Sequence, residues 1–298
     1  MSIYDIIIIG AGPAGLSAAV YSARYRLKTL VFGELVGGKV GEAWKICNFL
    51  SYGEIKGSEF VDRMSRQVEK LGVEIKQEAV TEIKKSQKVF EIKTQEGSYF
   101  GKKIILAMGS EKRKLGLKDE GKFFGKGLTY CAACDAPLYK NKIVAVIGGG
   151  NSALTSALLL SEYAKKIFII YRQDKFFRAD PAWVEAVKKN KKIEPIFNSE
   201  VAELVGGKNL EAVKLKDKKI LEIQGLFIET GAVPNAKLVE QLGVATEKGF
   251  IKTDRYQKTN IAGVYAAGDI TDNPLKQIIT AAAEGAVAAS TAYKENTN

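Results

Sequence analysis

The chain of 298 residues contains no histidine and only three cysteines, Cys47, Cys131 and Cys134. Without histidine it lacks both the commonest catalytic base and the commonest metal ligand. A structural zinc site takes four ligands, mostly Cys or His, so a closed site within one chain would have to recruit a carboxylate, and zinc is set aside. Three cysteines are too few for a disulfide-stapled scaffold. Long apolar runs are also missing. At the amino terminus Asp5 precedes Ile6-Ile7-Ile8-Ile9 with no basic flank, which is far too little for a signal peptide or a membrane span, and a cytosolic protein is expected. Nor is the charge concentrated. The net +11 (45 basic against 34 acidic residues) is scattered as Lys84-Lys85, Lys102-Lys103, Lys112-Arg113-Lys114, Lys165-Lys166 and Lys188-Lys189. Such pairs are solvated faces rather than a nucleic-acid stripe, and attraction of an acidic protein partner is the use left open.

What is present is one Cys-x-x-Cys, Cys131-Ala132-Ala133-Cys134, followed by Asp135. Two thiols at this spacing can close a disulfide across one turn, and the arrangement lowers the pKa of the attacking thiol. In a reducing compartment that points to redox exchange rather than stapling; the plain alternative is two small packing residues. Cys47, beside Asn48, is read as a small packing residue, with a free redox thiol as the alternative.

Two dinucleotide fingerprints frame this motif. Ile6 to Ile9 is a continuous apolar run, as in a strand buried on both faces, and it enters Gly10-Ala11-Gly12-Pro13-Ala14-Gly15. Helix formers follow from Leu16 to Tyr25, then the strand Thr29 to Phe32, then the acid Glu34. Strand, G-x-G-x-x-G, helix, strand and acid form a complete pattern for binding a dinucleotide, the acid being offered to a ribose. The pattern returns at Ile143 to Ile147, Gly148-Gly149-Gly150-Asn151-Ser152-Ala153, a helix from Ala153 to Tyr163, and the strand Ile167 to Tyr171. Here no carboxylate ends the second strand; Arg172, Lys175 and Arg178 follow, which suits a 2′-phosphate better than a free ribose.

At this length two domains are expected. Each fingerprint is followed by alternating strands, Val89 to Lys93 in one case and segments near Val201, Val213 and Leu221 in the other. The fold class is therefore α/β, two Rossmann-like three-layer (ββα) nucleotide-binding domains, each with an antiparallel insert. Gly263 to Asp269 reads as a buried strand returning to the first domain. That makes the first domain discontinuous, 1–113 with 246–298, and the second 114–245. Because only fourteen residues separate the cysteines from the second glycine loop, both should ride on one rigid domain, and a hinge rotation at the crossings is expected.

These motifs, in this order and over essentially the whole chain, resemble the low-molecular-weight thioredoxin reductases. The resemblance implies an FAD site at Gly10, Gly12, Pro13, Ala14, Gly15, Glu34, Gly38, Lys39, Asn48, Gly109, Gly268, Asp269, Lys276, Gln277 and Ile278. It implies an NAD(P)H site at Gly148, Gly150, Asn151, Ser152, Ala153, Arg172 and Arg178, NADPH being the expected donor. Electrons would pass from the nicotinamide through FAD to the Cys131–Cys134 disulfide and on to a thioredoxin or glutaredoxin-like protein. Cys134 lies on the flavin side, Cys131 attacks the partner, and Asp135 serves as acid and base; without that role Asp135 is a helix-start carboxylate. A helix from Gln277 to Ala289 would aim its amino end at the flavin. A homodimer is implied as well. This chain departs from the family at four places: Lys39 stands where Gln is usual, Leu50-Ser51 stands where a Pro-Gly commonly follows the flavin-side Asn, Lys276-Gln277 replaces Arg-Gln, and Tyr171-Arg172-Gln173, with Arg178 one residue late, replaces His-Arg-Arg-x-x-x-Arg. The last departure leaves open NADH, a ferredoxin, or oxygen as an acceptor, and a non-catalytic nucleotide sensor is the rival from another class.

Overall fold

A computed structural model describes residues 2–86, 89–234 and 237–295. The chain divides into two units, Met1–Glu111 with Val233–Asn298, and Lys112–Ala232.

The first unit is built on the strand Ile3–Ile9, which pairs in parallel with Thr29–Phe32 on one side and Ser98–Leu106 on the other. Val264–Ala266 pairs in parallel with Ile104 to Leu106, so the returning strand lies where the sequence places it. Ser98–Leu106 serves two functions in the sheet. Its first half pairs antiparallel with Val89–Lys93, and so joins the antiparallel insert to the parallel strands in one seven-stranded sheet. The apolar run of the first strand is divided between its two faces by the period of two. Ile6 and Ile8 pack with Val31, Ile105 and the alanines of the helices Pro13–Arg24 and Ile278–Lys294. Ile7 and Ile9 pack on the opposite face with Ile83, Phe90, Ile92, Leu238 and Val239. These are the three layers.

The second crossing lies at 232/233, not at 245/246 as expected, and the first at 111/112 rather than 113/114. The physical reason is burial: Leu238, Val239 and Val244 cover the second face of the first unit's sheet, so 233–245 belongs with that unit. The crossing segments Ser110–Lys112 and Ala232–Pro234 pair as a two-stranded sheet.

The second unit has a five-stranded parallel sheet in the order Ile193–Ile196, Lys166–Ile170, Ile143–Ile147, Gly225–Ile228, Leu128–Thr129. A separate antiparallel sheet is made of Val201–Val205, Ala212–Leu215 and Ile220–Glu222. Both nucleotide-loop helices start earlier than their apolar residues suggest, at Pro13 and Asn151, because each begins directly on its glycine loop. The last helix runs Ile278–Lys294, with Gln277 as its cap residue.

Candidate active site

In the first unit the glycines of the loop divide into two kinds. Gly10 has φ +113°, and a Cβ there would lie 2.1 Å from the carbonyl oxygen of Ala107; at Gly15 a Cβ would lie 1.8 Å from the Gly10 oxygen. These two are demanded by the chain's own packing. Gly12 is different, since a Cβ on it would meet nothing within 4 Å. It opens the helix Pro13–Arg24 without any side-chain cap, so open space lies ahead of unpaired helix N–H groups, which suits a pyrophosphate. Gly37 and Gly38 turn left-handed and bring a Cβ position on Gly38 to 3.4 Å from Gly12 Cα. Lys39 Nζ donates to Ser110 Oγ at 3.4 Å, beside Gly109. Asn48 Nδ2 donates to Gln277 Oε1 at 2.9 Å, and Thr280 Oγ1 accepts the Gln277 N–H at 3.2 Å. Ala14 lies against Gly268, where a Cβ would come within 2.9 Å of it. Glu34 is exposed two residues past its strand, and Ile278 begins the last helix.

The Gly268-Asp269 turn is held by a residue the sequence reading missed. Glu284, buried in the last helix, accepts the Gly268 N–H at 2.7 Å and the Thr271 hydroxyl at 3.1 Å, and Asn273 donates to its other oxygen. Burial pushes the Glu284 carboxyl above its ordinary value in spite of these donors. Burial likewise raises Asp269, against the pull of the Lys276 and Lys39 charges. Lys276 is driven down by the same burial, with Asp269 opposing; its ammonium donates to the Thr271 carbonyl and lies 4.4 Å from the centre of the Phe250 ring. An open pyrophosphate cradle beside the half-buried Asp269 carboxylate, with the Lys276 and Lys39 charges near it, is a donor set that fits FAD.

In the second unit Gly148 has φ +143°, and a Cβ there would lie 2.3 Å from the Glu229 carbonyl oxygen. Gly150 repeats the feature seen at Gly12, with nothing within 4 Å of a Cβ and an uncapped helix, Asn151–Ser161, behind it. Asn151 Oδ1 accepts the Asp180 N–H at 2.7 Å, and the backbone of Arg178 bridges to Gly150. Ser152 is exposed and Ala153 is buried. Tyr171 is buried against Gly149, where a Cβ would lie 2.4 Å from its ring, and it stacks on Phe176 at 6.0 Å. Arg172 and Arg178 are both exposed, Arg178 over the Phe177 ring at 5.3 Å. The cradle fits a dinucleotide pyrophosphate.

The redox turn lies in the same unit. Cys131 and Cys134 form a disulfide, and Cys131 caps the short helix Ala132–Asp135, its sulfur accepting the Cys134 N–H at 3.2 Å. Cys134 is exposed and Cys131 half-buried. Buried Thr129 orients the acid: it accepts the Cys131 N–H at 3.1 Å and donates its hydroxyl to Asp135 Oδ2. Upstream, Glu120 accepts the N–H groups of Leu115, Gly116 and Leu117 at 3.0, 2.8 and 3.3 Å, and the Tyr130 hydroxyl. Burial alone would raise Glu120, but the Tyr130 hydroxyl and the three backbone donors hold it below its ordinary range. Cys47 is exposed, not a packed residue, and partial desolvation of its thiol, with the nearby Glu54 charge, moves its pKa upward.

A redox-active disulfide on the second of two dinucleotide folds defines a class of flavoprotein oxidoreductase. The chain belongs to that class as a member of the pyridine nucleotide-disulphide oxidoreductase family, whose model matches residues 4–285. Within it, thioredoxin reductases are among the relatives of this chain. The thioredoxin reductase of Ureaplasma parvum is 38% identical over 294 residues, covering 96% of this chain and 95% of the relative. The crystal structure of T. acidophilum thioredoxin reductase is 37% identical, covers 100% of both chains and superposes with a TM-score of 0.95. A ferredoxin-flavin thioredoxin reductase from Clostridium acetobutylicum is also 37% identical, over 99% of this chain and 98% of that one, with a TM-score of 0.54. The family's thioredoxin reductases use FAD and NADPH.

Proposed function

We propose that the chain reduces a thioredoxin-like protein with electrons from NADPH, and the observation that carries this reading is the Cys131–Cys134 disulfide with Asp135 held by Thr129. The first unit would hold FAD through the helix starting at Gly12, the Gly38-Lys39 and Asn48 side, Gly109, and the Gly268-Asp269 turn with Lys276, Gln277 and Ile278. Gly10, Pro13, Ala14 and Gly15 shape that loop, and Glu34 would be the acid offered to the ribose. The second would hold the nicotinamide nucleotide at Gly148, Gly150, Asn151, Ser152 and Ala153, with Arg172 and Arg178 at the 2′-phosphate. Bound FAD supplies two-electron relay chemistry between a nicotinamide and a disulfide.

The remaining steps belong to side chains. Once the disulfide is open, the Cys131 thiolate attacks the partner's disulfide, and a mixed disulfide forms as one partner sulfur leaves. Cys134 then attacks Cys131, which restores the Cys131–Cys134 bond and releases the partner as a dithiol. Two electrons move to the partner and two protons follow. The Cys134 N–H on the Cys131 sulfur supports this order, because a backbone donor stabilises a thiolate there. Asp135, oriented by Thr129, takes and returns the proton. Delivery from one unit to the other calls for rotation about the two crossings.

Among the described residues no helix is long and apolar enough to cross a membrane. A cytoplasmic homodimer is part of the proposal, and gel filtration with light scattering tests the dimer.

An anaerobic titration of the FAD-loaded protein with NADPH, and separately NADH, tests the electron donor, following flavin absorbance. Bleaching by NADPH at much lower concentration is expected. Bleaching by neither would overturn the nicotinamide assignment. The second reading, a reduced ferredoxin as donor, would then stand, favoured by the Tyr171 to Arg178 segment and by the likeness to the ferredoxin-flavin enzyme.

A further inference from the structure

In the second unit, one set of contacts ties the redox turn to the carboxyl end of the parallel sheet. The set begins at Glu229, the residue after the strand Gly225–Ile228, whose carbonyl oxygen lies against Gly148 in the nucleotide loop. Its side chain is almost fully buried, 9% exposed. Oε1 accepts the Ser156 hydroxyl at 3.0 Å, from the helix Asn151–Ser161 that the loop opens, and lies 3.5 Å from Lys112 Nζ. Lys112 Nζ in turn donates to the backbone carbonyl of Tyr130, the residue before Cys131. The carboxylate is thus tied to the nucleotide helix and the ammonium to the Tyr130 carbonyl, at the start of the redox turn.

The peptide that joins Tyr130 to Cys131 is consequently held at both ends. Its carbonyl carries the Lys112 ammonium, and its N–H goes to Thr129, which passes the contact to Asp135. Two physical effects follow. The peptide plane, and with it the start of the Cys131 side chain, has one orientation. A positive charge on the carbonyl of the peptide that precedes Cys131 favours a thiolate over a thiol at that residue. Other ionisable groups around the turn include Cys134, Asp135, Tyr139 and Tyr130 on its own segment, Glu120 behind Tyr130, Glu229 behind Lys112, and Glu111 beside Lys112 in the chain. The helix Asn151–Ser161, which packs on the turn, has none.

We propose that Lys112, anchored by Glu229, is a positioning residue for the redox disulfide: it fixes the Tyr130–Cys131 peptide and stabilises the Cys131 thiolate when the disulfide is opened. Reduction takes two electrons; the S–S bond breaks, one proton goes to Cys134, and Cys131 keeps the negative charge. The inference rests on the redox reading of the disulfide and on neither the identity of the donor nor that of the acceptor.

The test uses the FAD-loaded protein reduced with dithiothreitol, with Lys112→Met, Lys112→Gln and Lys112→Arg beside the wild type. Iodoacetamide alkylation is followed against pH and assigned by peptide mass, so that Cys131 is distinguished from Cys134 and from the exposed Cys47. In Lys112→Met the midpoint of Cys131 alkylation should move up by about one pH unit. The equilibrium constant for forming the dithiol should fall by up to about tenfold, which is about 30 mV toward a more reducing disulfide. Lys112→Gln keeps a donor for the carbonyl but no charge, and should shift in the same direction. Lys112→Arg should restore the wild-type values. If the Gln and Met proteins melt at lower temperature with an unchanged Cys131 midpoint and unchanged potential, Lys112 is only structural and the proposal is wrong. Should Lys112→Met fail to fold, the Gln and Arg proteins decide. A wild-type disulfide that resisted dithiothreitol would instead overturn the reductase reading itself.

Discussion

Among single residues, the carboxylates of the second unit separate chemistry from stability. Asp135→Asn keeps the shape of the turn but loses the proton carrier, and should slow reduction of the protein acceptor about 100-fold or more, read as kcat in stopped flow. Thr129→Val should give a smaller loss, because it leaves the acid in place but unoriented. Glu120 acts on stability. Its folded pKa lies below the ordinary 4.5, so its contribution is complete above that value and is lost as the pH falls through the lowered folded value. Glu120→Gln should therefore cost about 2 kcal/mol at pH 7 in urea unfolding, and the gap to the wild type should narrow in acid below about pH 4.5. A gap that stayed constant with pH would refute the assignment. The sequence made Cys131, Cys134 and Asp135 legible because their spacing is itself the signal. Thr129 and Glu120 act through backbone N–H groups that no motif records. Glu284 left a trace that could have been read, as the one acid in the run Ala281-Ala282-Ala283-Glu284-Gly285-Ala286.

The glycine loops make a prediction about whole elements. Gly12 has ordinary φ and no atom within 4 Å of a Cβ, so Gly12→Ala should leave the thermal melting of the FAD-free protein almost unchanged while reducing FAD retention on a desalting column. Gly285 is the opposite case. A Cβ there would lie 2.0 Å from the Ala14 carbonyl oxygen, where the last helix crosses the first, and Gly285→Ala should lose about 2 kcal/mol before any cofactor is considered. Equal melting of the two variants would contradict this division of roles. The strands were legible because buried parallel strands are written as unbroken apolar runs. The helix starts were not, because Pro13 and Asn151 are fixed by the glycine loop rather than by apolar spacing. The boundary near residue 232 was hidden for another reason: Leu238, Val239 and Val244 carry no mark of which sheet they cover.

Across the molecule, charge and chain order differ between the two units. Residues 112–232 hold 22 basic and 14 acidic side chains, so the unit with the disulfide carries +8 of the net +11. Reduction of an acidic protein acceptor should lose kcat/KM several-fold as salt rises from about 50 to about 300 mM, with kcat little changed. A salt-independent kcat/KM would argue against electrostatic steering. The interrupted first unit also has a consequence for synthesis on the ribosome. The second unit is one unbroken stretch and can fold once residue 232 has left the exit tunnel, whereas the first waits for Val264–Ala266 and Ile278–Lys294. At roughly 5–20 residues per second that wait lasts several seconds, during which Ile104 to Leu106 form an uncovered apolar edge, the kind of surface that chaperones hold.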